Sequence, residues 1–301
     1  MLARARRRSW ARLLSATAGP ALSLALAGCA APGRWTDYTS VSIGQSNGGR
    51  IHRPAKMPRR GEGFEVPRTW RERGNQWGTE ELVALVERTA AKVRAESPRR
   101  VTLGVADLSP KRGGKTMWHA SHQSGRDVDL IFYAVDERGR PMAPPAVEMV
   151  HFDGEGEPFV PRQMSALGYE EPTWQARRFD DARNWALVEA LLSDRAVRIQ
   201  WIFVSNALQT RLLRWAEKNE RPRWVIEYAR EVMRQPGASA PHDDHFHVRV
   251  YCSRADRGLG CVDTGPVWQH EKKTYKYAGP ERYEPALTRA IMVRPTFFLH
   301  G

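Results

Sequence analysis

Two short stretches hold five of the chain's nine histidines. The first is Trp118-His119-Ala120-Ser121-His122-Gln123-Ser124-Gly125-Arg126-Asp127-Val128-Asp129, and the second is Pro241-His242-Asp243-Asp244-His245-Phe246-His247-Val248-Arg249. Imidazole and carboxylate are the ligand types of hydrolytic zinc, which takes three protein ligands and leaves one position open. His122, Asp129 and His247 supply such a set, and His119, His242 and His245 remain for proton transfer and for shaping the site. A His seven residues ahead of an Asp, or a His-x-His, is commonplace by itself. The two together, each at the edge of a predicted strand, specify a metal centre.

The elements around these stretches must bring them together. Side chains alternate faces along a strand. Over His245–Tyr251 that places His245, His247, Arg249 and Tyr251 on one face and Phe246, Val248 and Val250 on the other. Over Asp127–Ala134 it places Asp129, Ile131 and Tyr133 opposite Leu130 and Phe132. If these two strands are neighbours, His122, Asp129 and His247 converge, with His122 on a loop that Gly125 allows to bend sharply. His245 then lies one alternation from His247, near enough to act on a water at the metal.

Elsewhere the pattern is that of an α+β domain. Thr79 is a good helix N-cap, with Glu80 and Glu81 in the first turn. Leu82, Leu85, Val86, Thr89, Ala90 and Val93 form a helical stripe that Pro98 closes. Helices are also predicted over 181–192, 206–218 and 222–234, and strands over 101–108 and 197–204. Residues 42–73, rich in Gly, Pro and Arg, read as loops with one short strand. Strands and helices do not alternate regularly, so the expectation is a small, mostly antiparallel sheet flanked by helices. The boundaries expected are a leader over 1–28, a tether over 29–41, a domain carrying the zinc site over 42–265 and a tail over 266–301. Residues 136–178, with several Pro and Gly and little periodicity, read as an insertion over the site. His52, His151, His270 and His300 have no sequence partners and read as ordinary surface or loop residues.

The N-terminus reads as an export signal. Arg4, Arg6, Arg7, Arg8 and Arg12 precede an apolar, small-residue run over 13–26 that is too short to span a membrane. It ends in Leu26-Ala27-Gly28-Cys29, which resembles a bacterial lipobox. That resemblance implies lipidation of Cys29 and a membrane anchor. Ala30 in place of Asp then favours sorting to an outer membrane, facing the periplasm. In an oxidising compartment the two other cysteines, Cys252 and Cys261, are expected to form a local disulfide. The formal net charge is +13, of which the leader's five arginines account for five, leaving about +8. A basic surface suits an anionic partner such as cell wall. No nucleic-acid-binding motif accompanies the charge, so nucleic acid is not expected as a partner.

The run from Ser121 to Asp129 together with His245-Phe246-His247 resembles the penicillin-insensitive murein endopeptidases, within the lysostaphin, D-Ala-D-Ala metallopeptidase and sonic hedgehog group. Ser42-Ile43-Gly44, Gly78-Thr79, Gly113-Gly114 and Ile202-Phe203-Val204 add support, so the resemblance covers roughly residues 42–262. It implies zinc, hydrolysis of peptide cross-links in peptidoglycan, ligation by His122, Asp129 and His247, catalysis by His245, and further active-site roles for His119 and His242. Residues 136–178 and 270–301 match no pattern of the family, and a lipid anchor is not a general trait of it. Two other readings use the same residues. One is a zinc D,D-carboxypeptidase acting on uncrosslinked stems. The other is a wall-binding lipoprotein without catalysis, for which a proton-transfer histidine would be superfluous. The pattern Gly44-Gln45-Ser46-Asn47-Gly48 fits a serine nucleophile elbow, but Gly49 to Pro54 cannot begin the helix that an elbow needs.

Overall fold

The computed structural model describes residues 40–168, 172–237, 239–269 and 271. Its centre is one seven-stranded sheet. In chain order the strands are β1 (Arg60–Gly61), β2 (Phe64–Glu65), β3 (Leu103–Val105), β4 (Asp127–Ile131), β5 (Ile199–Phe203), β6 (Met233–Arg234) and β7 (His245–Val250). Their spatial order is β6-β5-β7-β4-β3-β2-β1. Four of the six pairings are antiparallel; β5 with β6 and β2 with β3 are parallel. The architecture is the α+β arrangement expected from the sequence.

Alternation along the central pair decides which side is core. Phe246, Val248 and Val250 of β7 and Val128 and Leu130 of β4 are buried in the apolar cluster. Helices α1 (Glu80–Glu96), α2 (Asp181–Leu192), α3 (Asn206–Lys218) and α4 (Arg223–Val232) add Leu82, Leu85, Leu191, Leu208, Leu212 and Val225 to the same cluster. Thr79 caps α1 as predicted, accepting from the Leu82 N–H at 3.3 Å. Its own N–H reaches the Gly125 carbonyl at 2.8 Å, which ties the helix start to the loop carrying His122. Asp180 and Ser205 cap α2 and α3 in the same manner.

Three expectations about elements need correction. The helix predicted over 222–234 stops at Val232, and Met233–Arg234 turns extended to pair with β5. Gln235-Pro236 follows, and a residue before proline avoids helical geometry. Residues 42–73 are more ordered than their composition implies. Val41–Gln45 and Gly48–His52 form a hairpin, Ala55–Lys56 pairs with Trp77–Gly78, β1 and β2 lie in the main sheet, and Arg68–Arg73 is a short helix. These strands are polar or two residues long, so they carry no periodic signal; tertiary pairing defines them. The serine of the elbow-like pattern, Ser46, lies in the hairpin turn, not between a strand and a helix. The third correction is to the strand predicted over 127–134, which ends at Ile131; Ala134–Val135 pairs instead with Arg178–Phe179 in a separate two-stranded sheet.

Cys252 and Cys261 form the expected disulfide. At the start of the predicted tail, the Trp268 indole donates to the Gln200 carbonyl at 2.6 Å and packs edge-on against Trp201. The leader with Cys29, most of the tether, and residues 272–301 with His300 lie outside the described residues, as does His270.

Candidate metal centre

β4 and β7 are direct neighbours, and their register places His247 opposite Asp129, Arg249 opposite Asp127 and His245 opposite Ile131. The convergence expected from alternation therefore occurs. The Asp129 Oδ1 atom lies 3.2 Å from His122 Nε2, 3.5 Å from His247 Nδ1 and 3.3 Å from His245 Nε2. His119 Nε2 is 3.7 Å from Asp129 Oδ2, and its ring lies 4.2 Å from that of His122. The His242 ring is 5.3 Å from His245 and 5.7 Å from His247. All six residues singled out from the sequence share one site.

The rings of His122, His245 and His247 are each aimed by a partner on the far nitrogen. His122 Nδ1 donates to the Leu108 carbonyl at 2.5 Å, which leaves Nε2 as the lone-pair atom facing Asp129. His247 is turned the other way: Nε2 donates to Asp127 Oδ1 at 2.9 Å and leaves Nδ1 facing Asp129. Asp127 is itself held by Arg249 at 2.6 Å. His245 Nδ1 donates to Asp244 Oδ1 at 2.6 Å, so its Nε2 faces inward. His119 Nε2 donates to Asp107 Oδ2 at 2.9 Å, and Asp107 also pairs with Arg73. Carboxylate or carbonyl partners of this kind fix the tautomer of metal-binding histidines.

The loop that delivers His122 is strained. His122 has φ +62°, a left-handed conformation that non-glycine residues seldom adopt and that concentrates at functional sites. Gly125 has φ +76°, and a Cβ there would approach Ile51 Cδ1 to 2.3 Å, so the bend that the sequence attributes to Gly125 requires glycine.

Electrostatics separate the histidines. Burial pushes His247 down to about 3, although Asp127 opposes it. Burial and the neighbouring His245 push His242 down to about 4. Burial also works against a proton on His122 and His245, but the carboxylates win: Asp129 raises His122, and Asp244 with Asp129 holds His245 well above its usual range. Burial raises Asp129, yet His122 and His245 hold it well below its ordinary value. A divalent cation bound at Asp129 would oppose protonation of both rings.

The donor atoms fit a small divalent cation. His122 Nε2 and both Asp129 oxygens are buried and have no hydrogen-bond partner, which is costly without a ligand. A tetrahedral centre with bonds of about 2.0–2.1 Å separates its ligand atoms by roughly 3.3 Å. The spacings from Asp129 Oδ1 to the His122 and His247 nitrogens match that edge.

Sequence reasoning missed Asp107, Asp127, Asp244 and His151. Asp127 was within reach, because it shares Asp129's face one alternation away. Asp107 and His151 carry no local signal. His151, expected to be an ordinary loop residue, donates from Nδ1 to Asp243 Oδ1 at 2.5 Å and lies beside Asp244. His52 is exposed, as expected.

A strained loop, two facing strands and an imidazole–carboxylate donor set with outer carboxylates are the working parts of a metal-dependent hydrolase. The sequence profile of the penicillin-insensitive murein endopeptidases matches residues 42–273, and the chain belongs to that family. The matched span takes in residues 136–178. Proteins named penicillin-insensitive murein endopeptidase are similar over most of the chain. That of Haemophilus influenzae is 29% identical over 232 residues, covering 77% of this chain and 70% of that protein. One from Escherichia coli is 27% identical over 230 residues, covering 75% and 70%, and one from Klebsiella pneumoniae is 26% identical over 253 residues, covering 81% and 79%.

Proposed function

We propose that the chain is a zinc endopeptidase that hydrolyses peptide cross-links of peptidoglycan. The observation that carries this reading is the set of buried, unpartnered donor atoms on His122 and Asp129, with His247 Nδ1 at coordination spacing. His122, Asp129 and His247 hold the metal. Zinc bound there supplies a Lewis acid that acidifies a water and polarises a scissile carbonyl.

The chain's own groups handle the protons. With Nδ1 committed to Asp244, His245 presents Nε2 to accept a proton from the attacking water. The water oxygen bonds to the carbonyl carbon, the C–N bond breaks, and His245 returns the proton to the leaving amine. His242, kept neutral by burial, offers an N–H to the oxyanion as charge develops. His119, fixed by Asp107, buttresses the His122 ring. No serine acts as nucleophile, so β-lactams leave the activity intact.

Digestion of purified peptidoglycan tests this reading. Cross-linked dimers should disappear, chelator should stop the reaction and zinc should restore it. Release of D-Ala without loss of dimers would make the chain a D,D-carboxypeptidase, and absence of any new amine would make it a binder. Location rests on the sequence: lipid on Cys29 would anchor the exported protein in the outer membrane, facing the periplasmic wall. Cys29→Ser should then move it from membrane to soluble fractions. Among the described residues no helix is long and apolar enough to cross a membrane.

A further inference from the structure

The segment 136–178 reaches the site through His151. Within it, His151–Phe152 pairs with Pro158–Phe159 as a small hairpin outside the main sheet. The hairpin grips the dipeptide just ahead of His245 at two points. The Phe152 N–H donates to the Asp243 carbonyl at 2.8 Å, and His151 Nδ1 donates to Asp243 Oδ1 at 2.5 Å. His151 Nε2 lies 3.9 Å from Asp244 Oδ2, while the other oxygen of Asp244 holds His245 Nδ1 at 2.6 Å. The His151 ring is itself fixed between Phe159 and Trp174, with centroids at 5.8 and 5.7 Å. Phe152 is rooted in the main core, so the grip has a rigid base.

We infer that His151 is a positioning residue for the reaction: with Asp243 it fixes the carboxylate of Asp244, and through Asp244 it aims His245 Nε2 at the metal site. The inference rests on the reading of His245 as the proton carrier. His151 touches neither a metal ligand nor His245 directly, and it sits in a segment that contributes no strand to the main sheet. Its hydrogen bond spans 92 residues of sequence. A surface role would not need an aromatic slot, two carboxylates and, from the neighbouring Phe152, a backbone anchor on Asp243. Orientation matters at this level, because a catalytic group that drifts from its productive geometry forfeits rate without losing substrate affinity.

The test uses the full chain and peptidoglycan cross-links as substrate. His151→Phe keeps the ring between Phe159 and Trp174 but removes the donor; His151→Asn keeps a donor where Nδ1 stood. His151→Phe should keep its metal content and its KM, while kcat falls about 10-fold or more, up to the 10²–10⁴ that a general acid–base residue supplies. His151→Asn should recover most of that loss. Adding His151→Phe to Asp244→Asn should cost less than about twofold further, since the two changes act on one chain of contacts. Thermal melts show that each variant is folded. Unchanged kcat in His151→Phe, beside a His245→Ala variant that has lost its rate, overturns the inference and leaves the function standing. A loss that adds in full to that of Asp244→Asn, or that appears in KM or metal content, also overturns it. Should His245→Ala keep its rate, the reading of His245 fails and this inference falls with it.

Discussion

Two clusters of buried charge lie along β4 and β7, and they are finished differently. At the far end from His245, the carboxylate of Asp263 is closed on every side. It accepts from the Arg126 guanidinium at 2.9 Å, the Cys252 N–H at 2.8 Å and Arg257 at 3.2 Å. Arg126 also donates to the carbonyls of Val250 and Val262, and the Cys252–Cys261 disulfide closes the same loop. At the near end Asp129 is as deeply buried, yet neither oxygen accepts a hydrogen bond. The saturated Asp263 carboxylate marks a brace that holds the chain, even though Arg126 Nε beside it has no partner. Unsatisfied donors and acceptors, aimed by outer partners, mark a place kept for a ligand.

Variants at the open end should remove chemistry and leave the fold. The largest effect is expected for His247→Ala, which should lose both metal and turnover. His245→Ala should retain metal while kcat falls by at least about 10². Metal analysis and cross-link cleavage on the two variants decide their roles. The reverse pattern would make His245 the ligand, which its own 3.3 Å approach to Asp129 makes a fair contest.

Next in size is Asp127→Asn, which should loosen the aim of His247 without touching the ligand set. Metal affinity should drop about 10–100-fold, the usual cost of losing an outer partner. A competitive chelator titration reads this directly, and unchanged affinity would mean that Asp127 serves only Arg249.

The closed end should behave oppositely. Replacing both Cys252 and Cys261 by Ser should cost about 2–4 kcal/mol of stability. The folded fraction should keep its metal and its turnover. Denaturant unfolding paired with activity measures both, and loss of metal in the folded variant would dissolve the distinction between brace and site.

The smallest effect concerns Asp256, in the short helix Arg254–Gly258, whose carboxylate accepts the Ser42 N–H at 3.0 Å. Burial, aided by Glu81, pushes it up to about 7 from an ordinary 3.8. The folded state then binds the extra proton between those values. Its contribution to stability is full below about pH 4 and is lost as pH rises through about 7. Asp256→Asn should flatten that part of the stability–pH curve. An unchanged slope in melts from pH 4 to 8 would show that other groups set it.

The sequence by itself determined β7, the first part of β4, the alternation along both and the capped helix α1, because alternation and capping are local rules; it also singled out the six residues that the fold brings together at the candidate site. It also paired Cys252 with Cys261, since the two lie close in the chain. Tertiary structure decided the rest. It made β4 and β7 neighbours in a register that sets His247 across from Asp129. It turned His122 and His247 to offer opposite nitrogens, through Leu108 and Asp127. It ended α4 early so that Met233 could join the sheet, and it built order into residues 42–73 from pairings too short to leave a pattern. Above all, it brought His151 against Asp243 from 92 residues away. No local periodicity encodes a hydrogen bond between segments that meet only when the sheet has formed.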